Sequence, residues 1–182
     1  MNKLLRTLWT LLASRRRSKL GILDVGVIRM RVRPTDLDLL RHMNNGVYFS
    51  VADLGRYDLL IRAGVAKVFS ERGWYPVVAS STISYRKSLD AGMRYELHSR
   101  LLGIDEKATY LEQRFVVDGE IYARLFVRAR FLKRTGGPVS TAELAEAIGI
   151  EVLELRPPAW VERWAEDVAL PSTKSPAPND WA

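Results

Sequence analysis

Residues 44–63 leave this chain few choices of fold. Val47, Tyr48, Phe49, Val51, Ala52, Leu54, Leu59, Leu60 and Ile61 recur so closely that a helix built from them keeps only a thin polar stripe. A helix apolar nearly all round has to be buried. Asn44 or Asn45 can cap its start, because a short side-chain oxygen accepts from the free N–H groups of the first turn. Gly64 suits its end. Asp53 and Arg56, three residues apart, predict an ion pair on the polar stripe.

Strands have to supply the cover. Residues 24–33 alternate, with Ile28, Met30 and Val32 on one face and Arg29, Arg31 and Arg33 on the other, and Pro34 ends the run. Four further strand-like runs follow the helix, at Val77 to Lys87, Arg94 to Leu102, Ala108 to Val117 and Glu120 to Leu132. Asp118-Gly119 between the last two is a favoured hairpin turn, so the sheet is mainly antiparallel. The expected class is α+β, with five or six antiparallel strands curled round helix 44–63. Residues 65–75 read as a linker with a short helical turn. Beyond the Thr135 to Pro138 break, Ser140 or Thr141 caps a short helix ending at Ile148. Trp160, Val161, Trp164 and Val168 predict an amphipathic turn and a half that docks on the body or a partner. Pro171 to Ala182 reads as a disordered tail. The chain thus divides into a basic amphipathic segment over 1–20, a domain over 24–135, and a C-terminal helix with a Pro-rich tail over 136–182.

Several kinds of chemistry are excluded. With no cysteine, there is no thiol nucleophile, no Cys-ligated metal and no disulfide framework. His42 and His98 are the only histidines, so no metal site is expected, and no cofactor. There is no G-x-S-x-G elbow. The net charge of +7 sits almost wholly in residues 1–20, where Lys3, Arg6, Arg15, Arg16, Arg17 and Lys19 face no acid. The remainder is nearly neutral, which argues against a nucleic-acid partner.

The same N-terminal segment places Leu4, Leu5, Leu8, Trp9, Leu11 and Leu12 at helical spacing. The run is too short to span a bilayer, and Lys3 and Arg6 interrupt it. It has neither a signal-peptide core nor a clear cleavage site. Two readings stand: a helix lying peripherally on an anionic membrane surface, or a helix packed on the body or frayed from it. The expected location is the cytoplasm, with membrane association through residues 1–20 as the open alternative.

Polar groups crowd at the junction between the first strand and the long helix, in Arg33-Pro-Thr-Asp-Leu-Asp-Leu-Leu-Arg-His-Met-Asn-Asn-Gly-Val-Tyr48. The helix start carries about half a positive charge from the summed peptide dipoles. A carbonyl resting there is polarised, and an oxyanion forming there is stabilised. A carboxylate close by, Asp38, can attack that carbonyl or take a proton from water. Carboxylate plus backbone N–H donors is a minimal kit for acyl transfer. The plainer reading makes Asn44 a cap, Asp36 and Asp38 loop stabilisers, and His42 a hydrogen-bonded loop residue.

The pattern Asp-Leu-Asp-Leu-Leu-Arg-His-Met-Asn-Asn-Gly-Val-Tyr, followed by Asp53 and Arg56, resembles the signature of hotdog-fold thioesterases of the 4-hydroxybenzoyl-CoA thioesterase type, in particular the thioesterase superfamily member six-like proteins. The resemblance covers about residues 24–135. It implies a hotdog fold, with Asp38 as the catalytic carboxylate and the Asn45 N–H polarising the thioester carbonyl. Asn44 and Gly46 lie beside it, and Tyr48 matches the family tyrosine. His42, Asn44, Gly46 and Tyr48 would shape the substrate pocket. Arg86 or Lys87, in a region that often lines the acyl-CoA tunnel, would meet a CoA phosphate. Many members have Gly-His where this chain has Arg41-His42. Some branches place the carboxylate on the helix, where Asp53 would be the candidate. The resemblance further implies a homodimer or homotetramer with sites at the interface.

The leading expectation is a thioester hydrolase acting on acyl-CoA or an acyl-carrier-protein thioester, with Asp38 as nucleophile or general base. The alternative is a non-catalytic acyl-CoA- or lipid-binding hotdog protein at a membrane surface. A hotdog dehydratase fits poorly, since His42 lies inside the Asn-Asn motif.

Overall fold

Every strand-like run between residues 26 and 133 joins a single sheet. The computed structural model describes residues 3–151, 155–172 and 174–179. Met1, Asn2 and part of the tail expected over 171–182 lie outside them. The elements are α1 (Lys3–Ser14), β1 (Gly26–Arg31), a 3-10 turn (Pro34–Asp36), α2 (Asn45–Arg62), α3 (Val65–Arg72), β2 (Trp74–Tyr85), β3 (Arg94–Ile104), β4 (Thr109–Val117), β5 (Glu120–Lys133), α4 (Thr141–Ile148) and α5 (Ala159–Asp167). Among the described residues the sheet has five strands in the order β1-β3-β4-β5-β2, every pairing antiparallel. Asp118 and Gly119 both take positive φ, 49° and 80°, as the two-residue β4–β5 hairpin requires. Register shifts at Val78/Ser80, Leu101/Gly103 and Phe115/Val116 bend the strands.

The curled sheet holds α2 in its hollow. Val51, Ala52 and Leu54 of the helix meet Leu97, Phe115 and Leu125 of the sheet in one buried cluster. Gln113 Nε2 donates to the Ala52 carbonyl at 2.8 Å and to Ser99 Oγ at 2.8 Å. Arg56 pairs with Asp53 on the polar stripe and also donates to Gln113 Oε1 at 2.6 Å. Gly64 follows the helix at φ 75°.

Gly55 sets how closely helix and sheet approach. A Cβ there would fall 2.5 Å from Ser99 Oγ, 2.7 Å from Leu97 Cδ2 and 2.9 Å from Gln113 Nε2. Helix propensity favours Gly55→Ala by about 1 kcal/mol, but the overpacking costs more. The expected net is a loss of about 2 kcal/mol, or a Tm drop of about 5 °C in thermal unfolding. An unchanged Tm would mean that the helix–sheet spacing relaxes freely.

Two regions carry more structure than local pattern suggests. Residues 65–72 form a helix of eight residues rather than one turn, because Val65 and Phe69 bury against Trp74 and Phe131. The turn and a half expected around Trp160 is the nine-residue α5. It lies on the outer face of the sheet, where Val161 and Ala165 meet Ala108 and Tyr110, and Trp160 stacks edge-on with Phe126. With α2 against its inner face and α5 over Tyr110 on the outer, most of β4 is buried on both faces. Ser140 caps α4 through a reciprocal pair with Glu143.

Candidate active site

The loop carrying Asp38 is a tight reversal stitched at both ends. Leu37 bridges Met43, and His42 bridges Asp90. Met43 donates its N–H to the Leu89 carbonyl at 2.8 Å, and Asn44 donates to the Asp36 carbonyl at 2.8 Å. Asp38 Oδ1 accepts from the N–H groups of Leu40 at 2.9 Å and His42 at 3.1 Å. Its own N–H donates to the His42 carbonyl at 2.8 Å. The carboxylate is therefore aimed by its own loop, with one oxygen engaged.

Arg41, at the reversal, takes φ 64°. Left-handed backbone costs a residue bearing Cβ about 1–2 kcal/mol, whereas glycine adds about 0.5–1 kcal/mol of unfolded-state entropy. The strain is the larger of the two. Arg41→Gly is expected to raise Tm by about 2 °C; a lower Tm would mean that the arginine side chain stabilises the loop.

The first turn of α2 faces Asp38. Asn44 is the cap: its Oδ1 accepts from the Gly46 N–H at 2.9 Å, and Val47 N donates to the Asn44 carbonyl at 2.8 Å. The Asn45 N–H has no acceptor among the described residues. Asp38, Asn45, His42, Tyr48 and Arg86 line one open cleft of about 380 Å³. Asn44 instead borders a shallow depression on the other side of the loop, with Leu39 and Leu40, which project into solvent. Gly46 lines neither, and its N–H is spent on the cap.

Tyr48 is fully buried in the helix and closes the floor of the cleft. Burial pushes its hydroxyl above the usual phenol range, a hydrogen bond with the Leu89 backbone opposes this, and Tyr85, Asp90 and Asp38 add to it. It stays a neutral group at physiological pH. Arg86 reaches the cleft already engaged: Nη1 donates to Glu120 Oε1 at 2.7 Å, beside a Lys87–Glu120 pair at 2.5 Å. Lys87 and then Arg86 hold the Glu120 carboxyl below its usual range.

One cleft residue, and one residue beside the cleft, carry no signal in the linear sequence. Tyr85, at the end of β2, stacks edge-on against Tyr48 at 5.1 Å and donates to the Asn45 carbonyl at 3.2 Å. Asp90 stands 3.7 Å from His42 Nε2. Both come from a segment some 40 residues away that only the folded sheet brings alongside. Asp53, the alternative carboxylate, is tied to Arg56 and does not line the cleft. Asp36 is buried beneath the loop, where its carboxylate accepts from Arg6 Nη1 at 3.0 Å and from the Arg33 N–H at 3.0 Å.

Three similarities accompany this geometry. Protein THEM6 of Danio rerio is 36% identical over 142 residues, 76% of this chain and 69% of that protein. Protein THEM6 of Xenopus laevis is 45% identical over 85 residues, 47% of this chain but only 41% of that protein, so this match spans less than half of the frog relative. Among solved structures, the Escherichia coli protein YbaW, described as a probable thioesterase, superposes with a TM-score of 0.64 over 70% of this chain and 98% of its own, at 21% identity, a likeness of fold. The model of the thioesterase-like superfamily matches residues 32–170. With its antiparallel hotdog sheet round α2 and that match over most of its length, the chain belongs to the thioesterase-like superfamily.

Proposed function

We propose that the chain is an acyl-CoA thioesterase that hydrolyses its substrate to a free acid and a thiol. The observation that carries this is the pairing of the Asp38 carboxylate with the unengaged Asn45 N–H across one cleft. The thioester carbonyl oxygen sits at the helix start, where the N–H and the helix dipole stabilise the developing oxyanion. Asp38 acts in one of two ways. As a nucleophile it forms an acyl anhydride while the C–S bond breaks and the thiol leaves, and water then cleaves the anhydride. As a general base it takes a proton from the water that attacks the carbonyl. Label appearing in the Asp38 carboxylate after single turnover in heavy-oxygen water would identify the nucleophilic route, since it enters only when water opens the anhydride at the Asp38 carbonyl. Arg86 and Lys87, at the rim, meet the phosphates of CoA in exchange for Glu120.

The second part concerns assembly and place. β2 is an open edge bearing exposed Tyr75 and Val78, and pairing of two such edges gives a homodimer whose second subunit completes the cleft. Residues 1–20 rest on the cytoplasmic face of a membrane, supported by the outward apolar side of α1. No helix among the described residues is long and apolar enough to cross one.

The test is thiol release by the wild-type protein from short, long and aromatic acyl-CoAs and from acyl-carrier-protein thioesters. Release from one class supports the reading and names the acyl group. No release from any, with binding retained, would overturn it in favour of the lipid-binding alternative.

A further inference from the structure

The helix α1 is held to the body by its polar side. Arg6 reaches the buried Asp36 at 3.0 Å, and both Ser14 Oγ and Arg17 reach the buried Asp58 at 2.7 Å. The opposite side is therefore turned outward in a fixed orientation. There Leu4, Leu5, Leu8, Trp9 and Leu12 stand between 49% and 74% exposed. Apolar groups contiguous on one helix face at this exposure mark an interaction surface.

Beside that face runs a trench of about 800 Å³, between α1 and the β1–β3 edge of the sheet. Arg6 lines it from the helix and Arg17 from the turn after it, Arg29, Arg31 and Arg94 from the strands and Arg33 from the loop after β1, against Glu96 and Asp118. Arg31 and Arg94 are direct cross-strand partners. Like charges placed opposite one another destabilise a sheet, and among the described residues neither is paired with a carboxylate. Arg6, Arg17 and Arg29 are paired with Asp36, Asp58 and Glu96, so in a body that is otherwise nearly neutral it is the juxtaposed Arg31 and Arg94 that call for an anion. Trp9 belongs to both features: it lines the trench and is 70% exposed on the apolar face.

We infer that the trench seats the phosphate-bearing headgroup of an anionic phospholipid while the outward face of α1 enters the acyl boundary of the bilayer. A free small anion would neutralise the arginines but leave Leu8 and Leu12 in water. A bilayer of anionic lipid covers both at once, with Trp9 at the level where headgroup meets chain. The inference rests on the reading of residues 1–20 as a segment contacting an anionic membrane and adds the seat of the lipid headgroup.

Co-sedimentation of the full chain with phosphatidylcholine vesicles, with and without phosphatidylglycerol, tests it. Wild type is expected to pellet with the anionic vesicles and to be released as salt rises. The Arg31→Glu/Arg94→Glu variant is expected to lose on the order of tenfold or more of that partitioning. Leu8→Glu is expected to lose it too, through the apolar face. All three substituted side chains are exposed, so an unchanged Tm verifies the fold. Failure of the wild type to pellet with either vesicle overturns both this inference and the membrane contact. Equal pelleting on neutral and anionic vesicles, unaffected by Arg31→Glu/Arg94→Glu, overturns the headgroup seat alone.

Discussion

The Asp38→Asn variant is expected to keep its fold and lose about a thousandfold or more of thioester turnover. The fold survives because the loop uses Asp38 through one oxygen. Oδ1 accepts the Leu40 and His42 N–H groups, and an amide oxygen accepts both in the same geometry. What the amide lacks is a second anionic oxygen, and with it both nucleophilicity and basicity. Initial rates of thiol release, with Tm measured on the same samples, check this. Full activity would remove Asp38 from the chemistry. Lost activity with a lowered Tm would instead indicate a collapsed loop. Asn45→Ala is expected to lose far less, because its contribution is a main-chain N–H that the substitution retains.

Asp58→Ala is expected to destabilise the protein by about 3 kcal/mol, more than any exposed substitution would. Asp58 is fully buried in α2, and three groups converge on its carboxylate. Ser14 Oγ is at 2.7 Å, its hydrogen shared with the Thr10 carbonyl, Arg17 at 2.7 Å and Arg62 at 3.1 Å. Arg17 is partly exposed and regains water when the acid is removed. Arg62 is almost buried and keeps only its bonds to Ser18, so one guanidinium nitrogen is left desolvated and unpaired. A Tm drop of about 9 °C follows from the size of the chain. Because two of the three partners belong to α1 or the turn after it, cleavage by trypsin at Arg15 to Arg17 should accelerate as well. A normal Tm with unchanged cleavage would show that α1 is held by Arg6 and Asp36 alone.

The Asp36–Arg6 pair bears on the candidate site as well as on α1. Asp36 lies two residues before Asp38, and its carbonyl accepts the Asn44 N–H, so the helix that carries the apolar face also buttresses the loop and the cap of α2. In sequence, Asp36 and Asp38 look alike. Burial separates them: Asp36 is closed in and saturated by Arg6 and the Arg33 N–H, while Asp38 keeps an edge on the cleft.

Residues close in sequence made much of the protein legible. The buried helix over 44–63 with its Gly64 stop, the alternation of the strands, the Asp-Gly hairpin and the capped helix ending at Ile148 all arise from interactions spanning a few residues and are legible along the chain. Which of Asn44 or Asn45, and which of Ser140 or Thr141, supplies the cap is fixed by the backbone geometry at each helix start. So was the gathering of Asp38, His42, Asn45 and Tyr48, which share one loop and one helix turn. Tyr85 in the cleft, Asp90 beside His42, the helix formed by residues 65–72, and α5 over the outer face of β4 depend on partners far away in the chain. Periodicity in α1 likewise revealed an apolar stripe but not its direction. Its facing follows from two carboxylates buried in other elements, whose desolvation is tolerable only when Arg6, Arg17 and Ser14 turn inward to meet them, leaving the leucines outside.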